Sequence, residues 1–234
     1  ADARAVDVEL DARGASFELV IEGKSLGRFD TPMPGRHNVQ NAVGALAAIY
    51  ARGVDADALR RGLASFQSVK RRQEIVATVS GVAVMDDFAH HPTAVRETIA
   101  AVATRFPSGR VLALFEPRTN TSRRAIFQDE YARAFDGAAA ALIAPTFGAD
   151  KLAPEERFDT SKLVESLRAR GIEALAASTI EEMVEWTVRS ARSGDVVLCM
   201  SNGGFGGIHQ KLALALAQRE GILPASAKPA AERP

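Results

Sequence analysis

VAVMDDFAHHPTAVRETI, residues 82–99, passes from a short apolar run through two acids, an aromatic ring and two imidazoles into a pattern of helical spacing. Pro92 suits the first position of that helix, where its missing N–H would have no intrahelical partner anyway. The same succession repeats along the chain. Apolar runs VAVMDD, RVLALF, AAALIA, IEALA and DVVLCM alternate with amphipathic helices predicted near 93–105, 122–135, 161–170, 179–191 and 206–219. Such alternation predicts an α/β fold, a mostly parallel sheet covered by helices on both faces. Helix ends carry their own marks: Ser178 and Glu181 read as a capping box, and Gly171 follows a helix ending in Arg170.

Ahead of this region the period is different. Residues 6–30 alternate apolar and polar residues in VDVEL, SFELVIEG and LGRFDTP, with DARGA and EGKS as turns, which predicts an antiparallel meander. From Asn38 onward Val39, Val43, Leu46 and Tyr50 fall at helical spacing up to Gly53, and DADALRRGLASF gives a shorter second helix. The polar segment QSVKRRQE, residues 67–74, places a domain boundary near residue 77. The chain opens inside a strand without an initiator Met, so it is expected to be part of a longer protein. Its end, LPASAKPAAERP, residues 223–234, is Pro/Ala-rich without periodicity and is expected to be disordered.

With 234 residues, 47% of them hydrophobic, the chain can bury one large core or two modest ones. Lys+Arg and Asp+Glu both number 29, so no net field favours a polynucleotide or an anionic membrane. No run approaches the ~20 apolar residues of a membrane span. The single cysteine, Cys199, lies in an apolar run, reads as a core residue and suits a reducing, cytoplasmic setting.

Three predicted strands end in unusual clusters: DDFAHH, EPRTNTSRR and SNGGFGG. In an open parallel sheet ligands bind beyond the carboxyl ends of the strands, so these clusters are expected on one rim. Arg118, Arg123 and Arg124 offer planar forks suited to carboxylate or phosphate, which points to an anionic ligand. Adjacent histidines point in different directions and no further Cys or His stands at ligand spacing, so His90 and His91 argue against a zinc site and can equally be surface or hydrogen-bonded residues. GGFGG lacks the G-x-G-x-x-G spacing of a dinucleotide loop and can be a phosphate cradle or only a tight glycine turn. Asn38 and Asn41 share a helix face that could read a heterocycle edge, although helix capping explains Asn38 as well. KRR at 70–72 can be a solvated charge run.

These same clusters, in order, resemble the Mur ligases, ATP-dependent amide-forming enzymes of cell-wall synthesis. MPGRHNVQNAVGALAA, KRRQEIV and VMDDFAHHPTAV carry the likeness across most of the chain. DDFAHHPTAVRETI, EPRTNTSRRAIFQ and MSNGGFGGIHQKL resemble the branch that joins L-alanyl-γ-D-glutamyl-meso-diaminopimelate to UDP-N-acetylmuramate. The branch that adds L-alanine instead typically has HRYTR where this chain has RTNTSRR. The resemblance implies a Rossmann-like C-terminal, peptide-binding domain over 77–222, preceded over 1–76 by the last meander and helices of a central ATPase domain. It implies ATP, with Mg2+ held by residues ahead of residue 1, because no G-x-x-x-x-G-K-[ST] loop occurs here; this piece alone is expected not to catalyse ligation. By the same resemblance His37, Asn38 and Asn41 face adenine with Phe88 as a packing surface, Arg72 and Asp87 face ribose, and His90 faces the amino substrate and is a candidate catalytic group. His91, Arg118, Arg123, Arg124 and Asn202 are inferred neighbours in that pocket. Two other readings stand beside it, an L-alanine ligase and a non-catalytic module binding an anionic peptide.

Overall fold

The computed structural model describes residues 2–148 and 151–222, and the tail expected at 223–234 lies outside them. The chain divides into two compact units: one takes the chain up to Val69 with Ala100–Pro107, the other Lys70–Ile99 and the chain from Ser108 onward.

In the first unit β1 (Ala3–Asp11), β2 (Gly14–Ile21) and β3 (Lys24–Thr31) form an antiparallel sheet in that order. The period of two places Phe17, Leu19 and Phe29 inward, all fully buried. Gly14 cannot be replaced there, since a Cβ would meet the Thr31 carbonyl oxygen at 2.0 Å. Helix α1 (Arg36–Tyr50) closes this core with Val39, Val43 and Leu46, and α2 (Ala56–Ala64) adds Leu59. Asp55 caps α2 by accepting from Ala58 N–H at 2.8 Å. Asn38 does not cap α1: the N-cap is Gly35, and Asn38 Nδ2 donates to the Pro34 carbonyl at 2.7 Å.

The second unit is built on a six-stranded sheet of order β4-β5-β9-β6-β7-β8. Its strands are β4 (Glu74–Val79), β5 (Val82–Asp87), β6 (Val111–Phe115), β7 (Ala140–Ile143), β8 (Glu173–Ala176) and β9 (Val196–Met200). All neighbours are parallel except β4 and β5, so the sheet is mixed and mostly parallel, as the alternation predicts. The exception was not visible in the sequence. Strand β4 runs across residue 77, turns through Ser80 and Gly81, both at positive φ, and pairs back on β5. It is a half-exposed edge strand whose adjacent Ile75 and Val76 both face solvent beside a register shift, which erases the period-two signal.

Helices cover both faces. α6 (Ile180–Ser190) and α7 (Ile208–Arg219) pack with Val82, Val84, Leu112, Leu114, Val197 and Cys199. The alternate strand residues face the other way, where Phe115 meets Tyr131 and Phe135 near α4 (Gln128–Ala134). Helix α3 (Pro92–Arg105) begins at its proline as predicted, and α5 (Thr160–Ala169) ends on Gly171 at φ +80, with Ile172 N–H on Leu167 O and Gly171 N–H on Arg168 O.

Three boundaries differ from expectation. Residues 122–124 stay in a loop, because the Ser122 hydroxyl is engaged by Arg118 and Thr119, and helix starts only with a 3-10 turn at Ala125–Phe127. Likewise Gly206 and Gly207 adopt positive φ, so α7 begins at Ile208. The capping pair is Thr179 with Glu182: Thr179 Oγ1 accepts from Glu182 N–H at 3.1 Å and the Glu182 carboxylate accepts from Ser178 N–H at 2.7 Å. Among the described residues no helix is long and apolar enough to cross a membrane.

Candidate functional site

Strands β5, β9 and β6 are neighbours, and their last residues stand level, Asp87 opposite Met200 and Met200 opposite Phe115. The three polar clusters therefore leave the sheet side by side at one edge.

Asp87 is the buried centre of the first cluster, 2% exposed. Its Oδ1 accepts from Ala89 N–H at 2.7 Å and from the Thr98 hydroxyl at 3.4 Å, and its Oδ2 accepts from Gln73 N–H at 2.9 Å. The carboxylate thus pins the approach to β4 and the exit from β5 together. Phe88 N–H donates to the Arg71 carbonyl at 2.9 Å, and its ring lies 5.6 Å from the Arg72 guanidinium carbon and 5.2 Å from that of Arg71.

The two histidines do different work. His90 Nδ1 lies 2.8 Å from the Phe88 carbonyl, which can only accept, so Nδ1 carries a proton and donates it there. The His90 carbonyl takes the hydrogen bond of Tyr131, whose burial pushes the phenol well above its usual range and keeps it a donor. His91 instead starts α3: its carbonyl accepts from Val95 N–H at 2.9 Å, its Nδ1 from Thr93 N–H at 3.4 Å, and its ring rests edge-on against Phe127.

On the neighbouring loops, buried Glu116 accepts the Ser201 hydroxyl, and Ser201 Oγ accepts Gly203 N–H at 2.9 Å. Arg118 places Nη1 3.6 Å from Glu116 Oε1 and its guanidinium carbon 3.9 Å from the centre of the Phe147 ring. Its stem lies so close over Gly203 that a Cβ there would come within 2.4 Å of Arg118 Nε. Asn202, between them, has a buried Oδ1 with no partner among the described residues. Arg123 and Arg124 are tied elsewhere, Arg123 to Asn120 Oδ1 and the Phe147 carbonyl, Arg124 in an exposed 3.0 Å ion pair with Glu156. Of the three arginines, Arg118 is the one seated against the β9 loop.

Several residues that organise this edge were not singled out from sequence: Arg71, Asp86, Glu116, Ser201 and His209. Asp86 points to the opposite face from Asp87, with Arg71 Nε at 3.2 Å and His209 Nε2 at 3.3 Å. Burial would raise its carboxyl, and His209 and Arg71 more than offset that, leaving it below the ordinary value. Glu116 was readable as the residue directly after a predicted strand end.

In the first unit His37, Asn38 and Asn41 lie along the first turns of α1. Asn41 is exposed and His37 and Asn38 half-buried, and Asn38 keeps its Oδ1 as an acceptor while its amide holds Pro34.

Known proteins resemble this chain in sequence and in fold. The family model described as Mur ligase, glutamate ligase domain, matches residues 71–203. The UDP-N-acetylmuramate–L-alanine ligase of Caldanaerobacter subterraneus subsp. tengcongensis is 33% identical over 212 residues, 90% of this chain and 45% of the relative. The crystal structure of a murein peptide ligase from Psychrobacter arcticus 273-4 superposes with a TM-score of 0.68 at 31% identity, over 92% of this chain and 44% of that one. A UDP-N-acetylmuramate–alanine ligase from Thermotoga maritima shares the fold with a TM-score of 0.74 at 20% identity, over 94% and 46% of the two chains. The chain thus spans less than half the length of these relatives. With the family model spanning more than half of the chain, including all six strands of the second sheet, the chain belongs to the Mur ligase family.

Proposed function

We propose that this chain is the amine-side half of an ATP-dependent, cytoplasmic ligase that joins L-alanyl-γ-D-glutamyl-meso-diaminopimelate to UDP-N-acetylmuramate. ATP with Mg2+ would turn the muramyl carboxylate into an acyl phosphate, and the peptide amine would displace the phosphate. Such chemistry depends on positioning and on neutralising negative charge. The single observation that carries the reading is Arg118, held by Glu116 and Phe147 against Gly203 on the shared sheet edge. A guanidinium presented this way suits a peptide carboxylate. His90, whose Nδ1 is held by the Phe88 carbonyl, is proposed to face the incoming amine, with His91 and Asn202 beside it and Arg123 and Arg124 at the margin of the pocket. On the nucleotide side His37, Asn38 and Asn41 of α1 are proposed for adenine and Phe88 for packing on it. Arg72 and Asp87 are proposed for ribose; with both Asp87 oxygens already receiving main-chain N–H groups, any share it takes there would add to its structural role. The proposed domains are 1–76 for the end of the ATP-binding domain and 77–222 for the peptide domain.

RTNTSRR in place of HRYTR and the 31% identity with a murein peptide ligase favour the tripeptide as amine donor. The 33% identity with an L-alanine ligase favours the second reading, in which L-alanine is the donor. Phosphate release by the full-length enzyme, given ATP, UDP-N-acetylmuramate and one amine at a time, separates them. Turnover with the tripeptide supports the proposal, and turnover with L-alanine alone overturns it. Tripeptide binding without ATP turnover would leave only a peptide-binding module.

A further inference from the structure

Arg71, given no role above, touches the ends of both β5 and β9. Its backbone is left-handed, φ +60, a conformation that costs a non-glycine residue about 1 kcal/mol and persists only where its surroundings hold it. Main-chain groups tie it to β4 and β5: its N–H donates to Glu74 Oε2 at 2.8 Å and its carbonyl accepts from Phe88 N–H. The guanidinium then does three things at once. Nε reaches Asp86 Oδ2 at 3.2 Å, Nη2 donates to the carbonyls of Ser201 at 2.6 Å and Gly203 at 2.7 Å, and the plane lies near the Phe88 ring. Asp86 in turn has Nε2 of His209 in α7 3.3 Å from its Oδ1.

The two carbonyls are the informative contacts. Ser201 carries the hydroxyl bound to Glu116, and Gly203 is the residue over which Arg118 lies. Fixing these two peptide groups fixes the floor under Arg118 and the placement of Asn202 between them. Only an arginine meets the demand, because a planar fork can satisfy a carboxylate and two carbonyls together, whereas an ammonium on a flexible stem cannot hold the three in one geometry.

We infer that Arg71 is a positioning residue for the amine-side loop: it holds Ser201–Gly203, and through them Arg118, in place for the amino substrate. The inference rests on the function proposed above. Loss of its side chain leaves the nucleotide side largely intact, because the Phe88 N–H bond goes to the Arg71 main chain and Arg72 still lies over the ring.

Steady-state kinetics of the full-length enzyme, varying the tripeptide and ATP separately, test it with Arg71→Met and Arg71→Lys. Arg71→Met raises the tripeptide KM about tenfold, the loss of one charge-assisted hydrogen bond, and the ATP KM less than about twofold. Arg71→Lys, keeping the charge for Asp86 but not the fork, falls between. Equal changes in both KM values, or none, overturn the inference and leave a structural tie. If the wild type turns over no tripeptide, the proposed function fails, and amide hydrogen exchange on the 234-residue chain decides the inference alone. Arg71→Met then speeds exchange at Gly203 and leaves Ala89 as in the wild type, and unchanged exchange at Gly203 refutes it.

Discussion

Replacing Asp87 by alanine removes an acceptor that three donors share, in a place water does not reach. The Thr98 hydroxyl can rotate towards a carbonyl of its own helix, but the N–H groups of Gln73 and Ala89 cannot turn away. An unsatisfied buried donor costs roughly 1–3 kcal/mol, and removing a buried charge returns part of its desolvation, so the net loss is about 3 kcal/mol. Asp87→Asn keeps an oxygen of the same shape for one of the two N–H groups and should lose about half as much. Urea unfolding of the chain measures both. Trp186, the sole tryptophan, lies in α6 and reports on the second unit without interference from the first. An unfolding free energy for Asp87→Ala, from midpoint and slope, within about 1 kcal/mol of wild type would refute the argument that this carboxylate holds the strand ends together. The consequence reaches beyond stability. Weakened ATP use in an Asp87→Ala ligase would not by itself establish a ribose contact, because Gln73 and the Arg72 beside it lose their anchor too.

Cys199 is fully buried, and burial, with a smaller contribution from the Asp86 carboxylate, pushes its thiol well above the usual range. A thiol reagent such as DTNB should therefore leave the folded chain unlabelled and react on unfolding, and rapid labelling of the native protein would contradict the packing. Burial alone would raise the Asp195 carboxyl, but the Arg110 fork and the Arg192 N–H hold it below the ordinary value. Because its folded pKa is depressed, its contribution is complete above the unfolded carboxylate value of about 3.9 and is lost as pH falls through the folded one. Asp195→Asn should flatten that acid limb in urea midpoints taken across the range, and an unaltered limb would refute the assignment. In the proposed tripeptide ligase, Gly203→Ala should displace Arg118 and raise the tripeptide KM several-fold at nearly unchanged melting temperature, since Gly203 has no positive φ to forbid a side chain. An unchanged KM would show that the close approach is not needed.

The inner strands β6, β7 and β9 were legible because they are buried on both faces and read as unbroken apolar runs, β5 nearly so, and the edge loops because polar clusters follow such runs directly. What the residues could not convey was geometry that depends on single torsions or on exposure. Strand β4 hides its period behind two outward apolar residues, Ser178 and Thr179 are hydroxyls one position apart competing for one cap, and the reach of Arg71 follows from a left-handed φ that no pattern announces. The Arg123 and Arg124 forks look alike in sequence to Arg118. Only the loop fold ties them to Asn120, Phe147 and Glu156.

The claim that the edge formed by β5, β9 and β6 receives the amino substrate is tested most directly by the kinetics of Arg118→Ala in the full-length ligase. The account predicts a tripeptide KM raised by about tenfold or more with the ATP KM unaltered, as expected for loss of a charge-assisted contact to a carboxylate. A tripeptide KM equal to that of the wild type would contradict it.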